Sequence, residues 1–155
     1  MNFKQLGISN DLVNTLNQMG IKNPTPIQEE AIPLIINKKD IIAQSQTGTG
    51  KTFAFLLPMF ENINPKDNSI QGLIITPTRE LAIQISEAAQ KLNETKNLNI
   101  LAAYGGKDIK SQLNKLKRNI HLVIATPGRL LDHLDRDSIN LSKLKTLVID
   151  EADQM

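Results

Sequence analysis

The sequence predicts an α/β fold, a mostly parallel β-sheet flanked by helices, on three observations. Short runs rich in Ile, Val and Leu alternate with stretches of helical period. No internal repeat, low-complexity segment or long linker breaks that alternation. The segments rich in Gly, Thr and charge fall just after the apolar runs, where ligands sit in an open parallel sheet. Strands separated by helices need crossover connections, and these make the sheet parallel. A length of 155 residues fits one soluble domain, and a chain of that size buries roughly 68–70% of its unfolded surface, enough for a core without staples.

In chain order, Leu12, Val13, Leu16 and Met19 share a helix face that opens after Ser9 or Asn10 and stops at Gly20. Thr25-Pro26-Ile27-Gln28 supplies a cap, a proline at the first helical position and a Gln three residues after the cap. Pro33 is expected to kink or end that helix, and Asn37–Asp40 to turn into a first strand, Ile41–Ala43. An apolar helix comes after the glycine-rich turn that succeeds this strand. The next runs are a strand at Leu73–Thr76, a helix at Glu80–Leu92, a strand at Ile100–Tyr104, a helix at Ile109–Leu116, and strands at Leu122–Ala125 and Leu147–Ile149.

Composition removes several functions. With no cysteine, a disulfide framework, a thiolate zinc site and a cysteine nucleophile are excluded, and a reducing cytoplasm is the default location. The start, Met1–Asn10, has no apolar signal core, and the longest apolar stretch, Phe53–Phe60, is broken by Pro58. It falls far short of the roughly 18 residues of a membrane span, so no membrane partner is expected. Aromatics are 3% of residues, with no Trp, which argues against rows of rings stacking on bases. Any nucleic-acid contact must then run through the backbone. Net charge is only +2, but Lys96, Lys107, Lys110, Lys115, Lys117 and Arg118 face a single acid, Asp108, between positions 96 and 118. That run reads either as a solvated helix face or as a phosphate-attracting patch.

Ser45-Gln46-Thr47-Gly48-Thr49-Gly50-Lys51-Thr52 lies between the expected first strand and the apolar helix. Its glycines let backbone amides turn inward around phosphate oxygens, and the helix start adds its positive end. Lys51 can reach the β and γ phosphates, and the Thr52 hydroxyl can ligate magnesium. The strict pattern wants glycine at position 45, where this chain has Ser45; an ordinary glycine-rich turn with an exposed lysine is the alternative. A second half of such a site is Leu147–Glu151, read as a buried strand ending in two acids. Asp150 is assigned to magnesium through water, and Glu151 to orienting and deprotonating the water that attacks the γ phosphate. Solvated turn acids are the alternative there. Asn37-Lys38-Lys39-Asp40 mimics a guanine-reading N-K-x-D but precedes the phosphate loop, and is dismissed as a turn.

Taken together, Asp150-Glu151-Ala152-Asp153 and Ala43–Thr52 resemble motifs of the DEAD-box ATP-dependent RNA helicases. Four further segments agree in order. Gly20–Gln28 resembles the family's Q motif, with Phe3 as the upstream aromatic; Pro77-Thr78-Arg79-Glu80-Leu81-Ala82, Gly105-Gly106 and Thr126-Pro127-Gly128-Arg129 resemble the RNA-contacting motifs of its first domain. The resemblance covers the whole chain. It implies a RecA-like P-loop domain with ATP and Mg²⁺ as cofactors, in which Lys51, Asp150 and Glu151 are catalytic and Thr52 and Asp150 face the metal. Phe3, Ile21, Gln28, Ser45, Gln46, Thr47, Gly48, Thr49, Gly50, Lys51 and Thr52 would bind the nucleotide. Gln28 would read adenine with its side-chain amide, although in a capping box it would also bond back to the Thr25 amide; Phe3 and Ile21 fit the base or the core equally. Pro77, Thr78, Arg79, Gly106, Thr126, Gly128 and Arg129 would grip the RNA sugar-phosphate backbone, sequence-tolerantly and salt-sensitively. Capping and tight-turn chemistry are the alternatives for Thr78 and Gly105-Gly106.

The resemblance also implies an extent. Residues 1–155 correspond to a partial helicase ATP-binding domain, with a Q-motif region at 1–29 and a RecA-like core at 30–155, incomplete at the C-terminus and without the second RecA-like domain. The strand leading to the family's Ser-Ala-Thr motif lies between those of the phosphate loop and of Asp-Glu, so a gap or exposed ladder groups are expected between Ile41–Ala43 and Leu147–Ile149. Such a chain is expected to unwind no duplex alone and to hydrolyse ATP poorly. A truncated nucleotide-binding module without catalysis and a different P-loop enzyme, such as a small-molecule kinase, are the other readings. The sequence names neither the RNA nor any partner in RNA degradation or ribosome assembly.

Overall fold

A computed structural model describes residues 1–46 and 50–155. Their elements, in order, are α1 (Asn10–Gln18), α2 (Pro26–Ile36), α3 (Lys51–Asn62), β1 (Gly72–Ile75), α4 (Arg79–Leu92), β2 (Ile100–Ala103), α5 (Ile109–Leu116), β3 (Leu122–Ala125), α6 (Pro127–Asp135), β4 (Thr146–Ile149) and a closing 3₁₀ turn (Ala152–Gln154). Two compact units emerge: Met1–Asn62 with Lys91–Lys96, and Ile63–Gln90 with Asn97–Met155. No helix among the described residues is long and apolar enough to cross a membrane.

In the first unit, α1 buries Leu12, Thr15 and Leu16, on the face its spacing predicts. α2 starts where the Thr25-Pro26 signal places it: the Thr25 N–H donates to Gln28 Oε1 at 2.9 Å, which satisfies one donor left over at the helix start. The helix does not end at Pro33 but runs to Ile36. A proline lacks only its own N–H; its carbonyl still accepts from the Asn37 N–H at 3.1 Å and carries the last turn. α2 packs against α3, in which Ala54–Phe60 are all buried, as a helix apolar all round must be. Lys96, read from sequence as part of a solvated run, instead donates to the Phe60 and Glu61 carbonyls at the end of α3, where a cation suits the negative helix end.

Ile41–Ala43 forms no strand, against expectation; none of residues 39–46 is in a helix or strand. A strand exists only where a neighbour takes up its ladder, and Ile42 is 100% exposed, so its apolar character reflects no packing here.

The second unit holds a four-stranded parallel sheet in the order β2-β3-β1-β4. Leu73, Leu101, Ala103, Val123 and Ala125 share one face and join Ile70, Ile120, Leu130 and Ile139 in a single apolar cluster. Leu147 and Ile149 of β4 are in register with Leu73 and Ile75 and so point to that same face, yet they are 51% and 52% exposed. The buried strand expected there is therefore a half-exposed one, paired among the described residues with β1 alone. We predict that Leu147→Thr with Ile149→Thr shifts the urea midpoint by less than the equivalent of about 0.5 kcal/mol while reducing light scattering on concentration. A loss above about 2 kcal/mol would show these side chains to be packed.

Candidate functional site

The nucleotide-loop residues lie in the first unit and are set by a glycine. Gly50 has φ +85°, a conformation L side chains rarely adopt, and its carbonyl accepts the first intrahelical bond of α3, from the Ala54 N–H at 3.1 Å. The same carbonyl accepts from Gln28 Nε2 at 3.0 Å. Gln28 is 2% exposed and thus ties the start of α2 to the start of α3. A Cβ at Gly50 would fall 2.4 Å from Gln28 Nε2 and 2.9 Å from Thr25 Oγ1, so any other residue would force the Gln28 side chain to shift. Lys51 and Thr52 come next as the first residues of α3, both half-buried. The Ser45 hydroxyl is buried and has no hydrogen-bond partner among the described residues. Phe3 is buried, Ile21 half-buried and Gln46 exposed. Thr47, Gly48 and Thr49 lie outside the described residues.

The predicted RNA-contacting residues and the paired acids converge in the second unit. Ala103, Ala125, Ile75 and Ile149 end their strands in one register. The Thr126 N–H donates to Ala103, that of Thr76 to Ala125 and that of Asp150 to Ile75, at 2.9–3.1 Å. The segments leaving the four strands thus line one sheet edge. Pro77 and Thr78 lead into α4, and Thr78 Oγ1 accepts from the Leu81 N–H at 3.2 Å, so Thr78 caps this helix. The Arg79 guanidinium lies 5.5 Å and the Lys107 ammonium 5.4 Å from the centre of the Tyr104 ring, within cation–π range. Gly106, φ +85°, keeps room for Arg79: a Cβ there would lie 2.8 Å from Nη1. Arg129 Nη1 donates to the Lys107 carbonyl at 3.0 Å. Arg79 and Lys107 thereby flank a tyrosine that sequence reasoning left as a strand residue, with Arg129 joined to them through the Lys107 carbonyl; the tyrosine's place directly before two glycines was the available signal. The helix α6 was also missed, although Thr126-Pro127 repeats the Thr25-Pro26 start signal.

Gly128 differs from Gly106. Nothing lies within 4 Å of a Cβ built there, so the fold does not require glycine in this first turn of α6. We predict that Gly128→Ala leaves stability equal or higher, by up to about 1 kcal/mol, and weakens RNA binding severalfold by filling the space beside the helix start. Unchanged affinity in a filter-binding titration would remove Gly128 from the interface.

Asp150 is 8% exposed. Glu151 sits at φ +52°, ψ +48°, a left-handed conformation that costs a non-glycine residue about 1–2 kcal/mol. Such strain clusters at functional sites. No group of three or more His, Cys, Asp or Glu side chains forms a metal cage among the described residues. A magnesium ion needs none, since it keeps several waters and takes one or two protein oxygens with substrate phosphates.

Two histidines, His121 and His133, are buried in this unit. His133 is fully buried; burial first, then the Arg129 and Arg136 guanidiniums, hold its pKa below the ordinary 6.5, against the opposing pull of Asp132. The unfolded chain therefore takes up a proton at a pH where the folded one does not. His133's contribution is intact above 6.5 and is lost as pH falls below it toward the depressed folded value. Urea midpoints at pH 7.5 and 5.5 are expected to differ less in His133→Gln than in the parent; equal differences would contradict this.

The model of the DEAD/DEAH box helicase family matches residues 25–155. The chain is 52% identical over 153 residues to the ATP-dependent RNA helicase CshA of Listeria monocytogenes, covering 99% of this chain and 29% of that protein. It is 49% identical over 153 residues to the DEAD-box ATP-dependent RNA helicase CshA of Bacillus subtilis, covering 99% and 31%. The chain thus spans about a third or less of the length of these relatives. A crystal structure of a DEAD box protein from the hyperthermophile Methanococcus jannaschii superposes with a TM-score of 0.94 at 44% identity, over 100% of this chain and 42% of that one. With its parallel sheet flanked by helices, its glycine-set helix start and its row of polar residues after the strands, this chain belongs to the DEAD/DEAH box helicase family.

Proposed function

We propose that this chain is the ATP-binding and RNA-backbone-binding part of an ATP-dependent RNA helicase, whose whole form couples ATP hydrolysis to local opening of short RNA duplexes. The observation that carries the reading is the cradle at Gly50. A buried glutamine and a positive-φ glycine hold the start of α3 with Lys51 and Thr52 at its positive end, the arrangement that suits a nucleotide phosphate. In this reading residues 1–155 are a partial helicase ATP-binding domain, with residues 1–29 as the Q-motif region and 30–155 as the RecA-like core. A second RecA-like domain completes it in the longer protein, and the protein works in the cytoplasm.

The residues divide the work. Lys51 neutralises the β and γ phosphates, and the loop amides and Ser45 hold their oxygens. Gln28 keeps one amide hydrogen and one lone pair beyond its two bonds, enough to read an adenine edge. Thr52 and Asp150 would hold magnesium, which would supply charge neutralisation at the phosphates. Glu151 accepts a proton from the attacking water. Arg79, Arg129 and Lys107 attract RNA phosphates, with the turns at Gly106 and Gly128 allowing close approach.

The test is RNA binding measured against salt, together with strand separation. The 155-residue chain is expected to bind single-stranded RNA of any sequence, more weakly as salt rises, and to unwind nothing. Sequence-selective or salt-insensitive binding, or unwinding by this chain, would overturn the assignment.

A further inference from the structure

We propose that Gln112 and His133 are positioning residues for RNA binding, a buried brace that sets the turn carrying Gly105 and Gly106 against α6. This rests on the RNA-binding role proposed for the sheet edge. Neither residue is exposed: Gln112 is 1% and His133 0% accessible, and neither belongs to a motif or faces a ligand. Polar side chains buried this deeply are costly without hydrogen-bond partners, and each of these has them.

Gln112 Nε2 donates to the Tyr104 carbonyl at 3.2 Å. Its oxygen therefore faces the ring of His133, with Nε2 at 2.8 Å, so Nε2 carries the proton. Nδ1 lies 2.8 Å from Ser138 Oγ; the His133 carbonyl accepts from the Ser138 hydroxyl at 3.0 Å and from the Ser138 N–H at 3.0 Å. Both ring nitrogens thus have a polar partner.

These bonds close a circuit. From His133 on α6 it passes through Gln112 on α5 to the Tyr104 backbone, and on to Lys107, whose carbonyl accepts from Arg129. Arg129 returns it to α6 one helical turn before His133, on the same face. The Tyr104 ring at the centre carries Arg79 and Lys107. The cations that would meet RNA phosphates are thus held from beneath, and a held site binds more tightly than one that must order itself. Cutting the brace leaves every RNA-facing group in place but loosens the turn.

The test uses fluorescence anisotropy with a labelled oligouridine, well below the melting temperature of each variant. Gln112→Met keeps length and removes the hydrogen bonds; it is expected to bind RNA about tenfold more weakly, the worth of one to two hydrogen bonds. His133→Gln places an amide N–H where the ring Nε2–H was and is expected to bind within about twofold of the parent, whereas His133→Asn, too short to reach Gln112, is expected to match the loss in Gln112→Met. This pair decides the matter even if Gln112→Met fails to fold. Equal RNA affinity in all variants, with only stability altered, would reduce the brace to a structural role, and His133→Gln binding as poorly as His133→Asn would also overturn it. If the parent chain itself binds no oligouridine, the RNA reading fails and the brace falls with it, an outcome visible before any variant is compared.

Discussion

Gly50→Ala is expected to abolish ATP binding and to destabilise the chain by about 3 kcal/mol, combining the left-handed backbone cost with two displaced hydrogen bonds. The new Cβ would meet Gln28 Nε2 at 2.4 Å. To yield, Gln28 must give up its bond to the Gly50 carbonyl and, with it, the Oε1 position that accepts from the Thr25 N–H. The two sites should therefore be coupled. In a double-mutant cycle read by urea denaturation, Gln28→Ala is expected to cost less in the Gly50→Ala background than in the parent, because the clash is already relieved. Strict additivity would mean that Gln28 does not hold the loop.

Lys51→Ala and Glu151→Gln are expected to separate binding from chemistry in the whole protein. Losing a charge-assisted contact of about 1.5–3 kcal/mol, Lys51→Ala should weaken ATP binding roughly 10- to 100-fold with little change in folding. Glu151→Gln keeps the size of the side chain and removes the base; ATP affinity should stay near that of the parent while RNA-stimulated hydrolysis falls at least about a hundredfold. Calorimetry and a phosphate-release assay read the two effects independently. Hydrolysis surviving in Glu151→Gln would take the water-orienting role away from that residue.

Most of the second unit was legible because its signals are local. Four apolar runs became four parallel strands, and the segments after them became the sheet edge. The errors have a common physical cause. Ile41–Ala43 and Leu147–Ile149 are strongly apolar, and apolarity in a short run reports what a strand needs as a neighbour rather than what it finds. One formed no strand and the other became a half-exposed one. At Pro33 the helix does not end but runs on to Ile36, since its last turn needs only the proline's carbonyl. The candidate ATP residues were read from motif spacing, but Gln28's grip on the Gly50 carbonyl joins positions 22 apart and has no sequence signature. Tyr104, Gln112 and His133 were silent for the same reason: their roles come from three elements meeting, and each looks ordinary in its own segment.

The measurement that bears most directly on the central claim is a calorimetric titration of the 155-residue chain with ATP–magnesium and with GTP–magnesium, repeated on Lys51→Ala and Gln28→Ala. The account predicts saturable one-to-one ATP binding, GTP weaker by at least about tenfold, both weakened roughly 10- to 100-fold in Lys51→Ala, and loss of the adenine preference in Gln28→Ala. ATP binding that survives Lys51→Ala unchanged, or an adenine preference undiminished in Gln28→Ala, would contradict it.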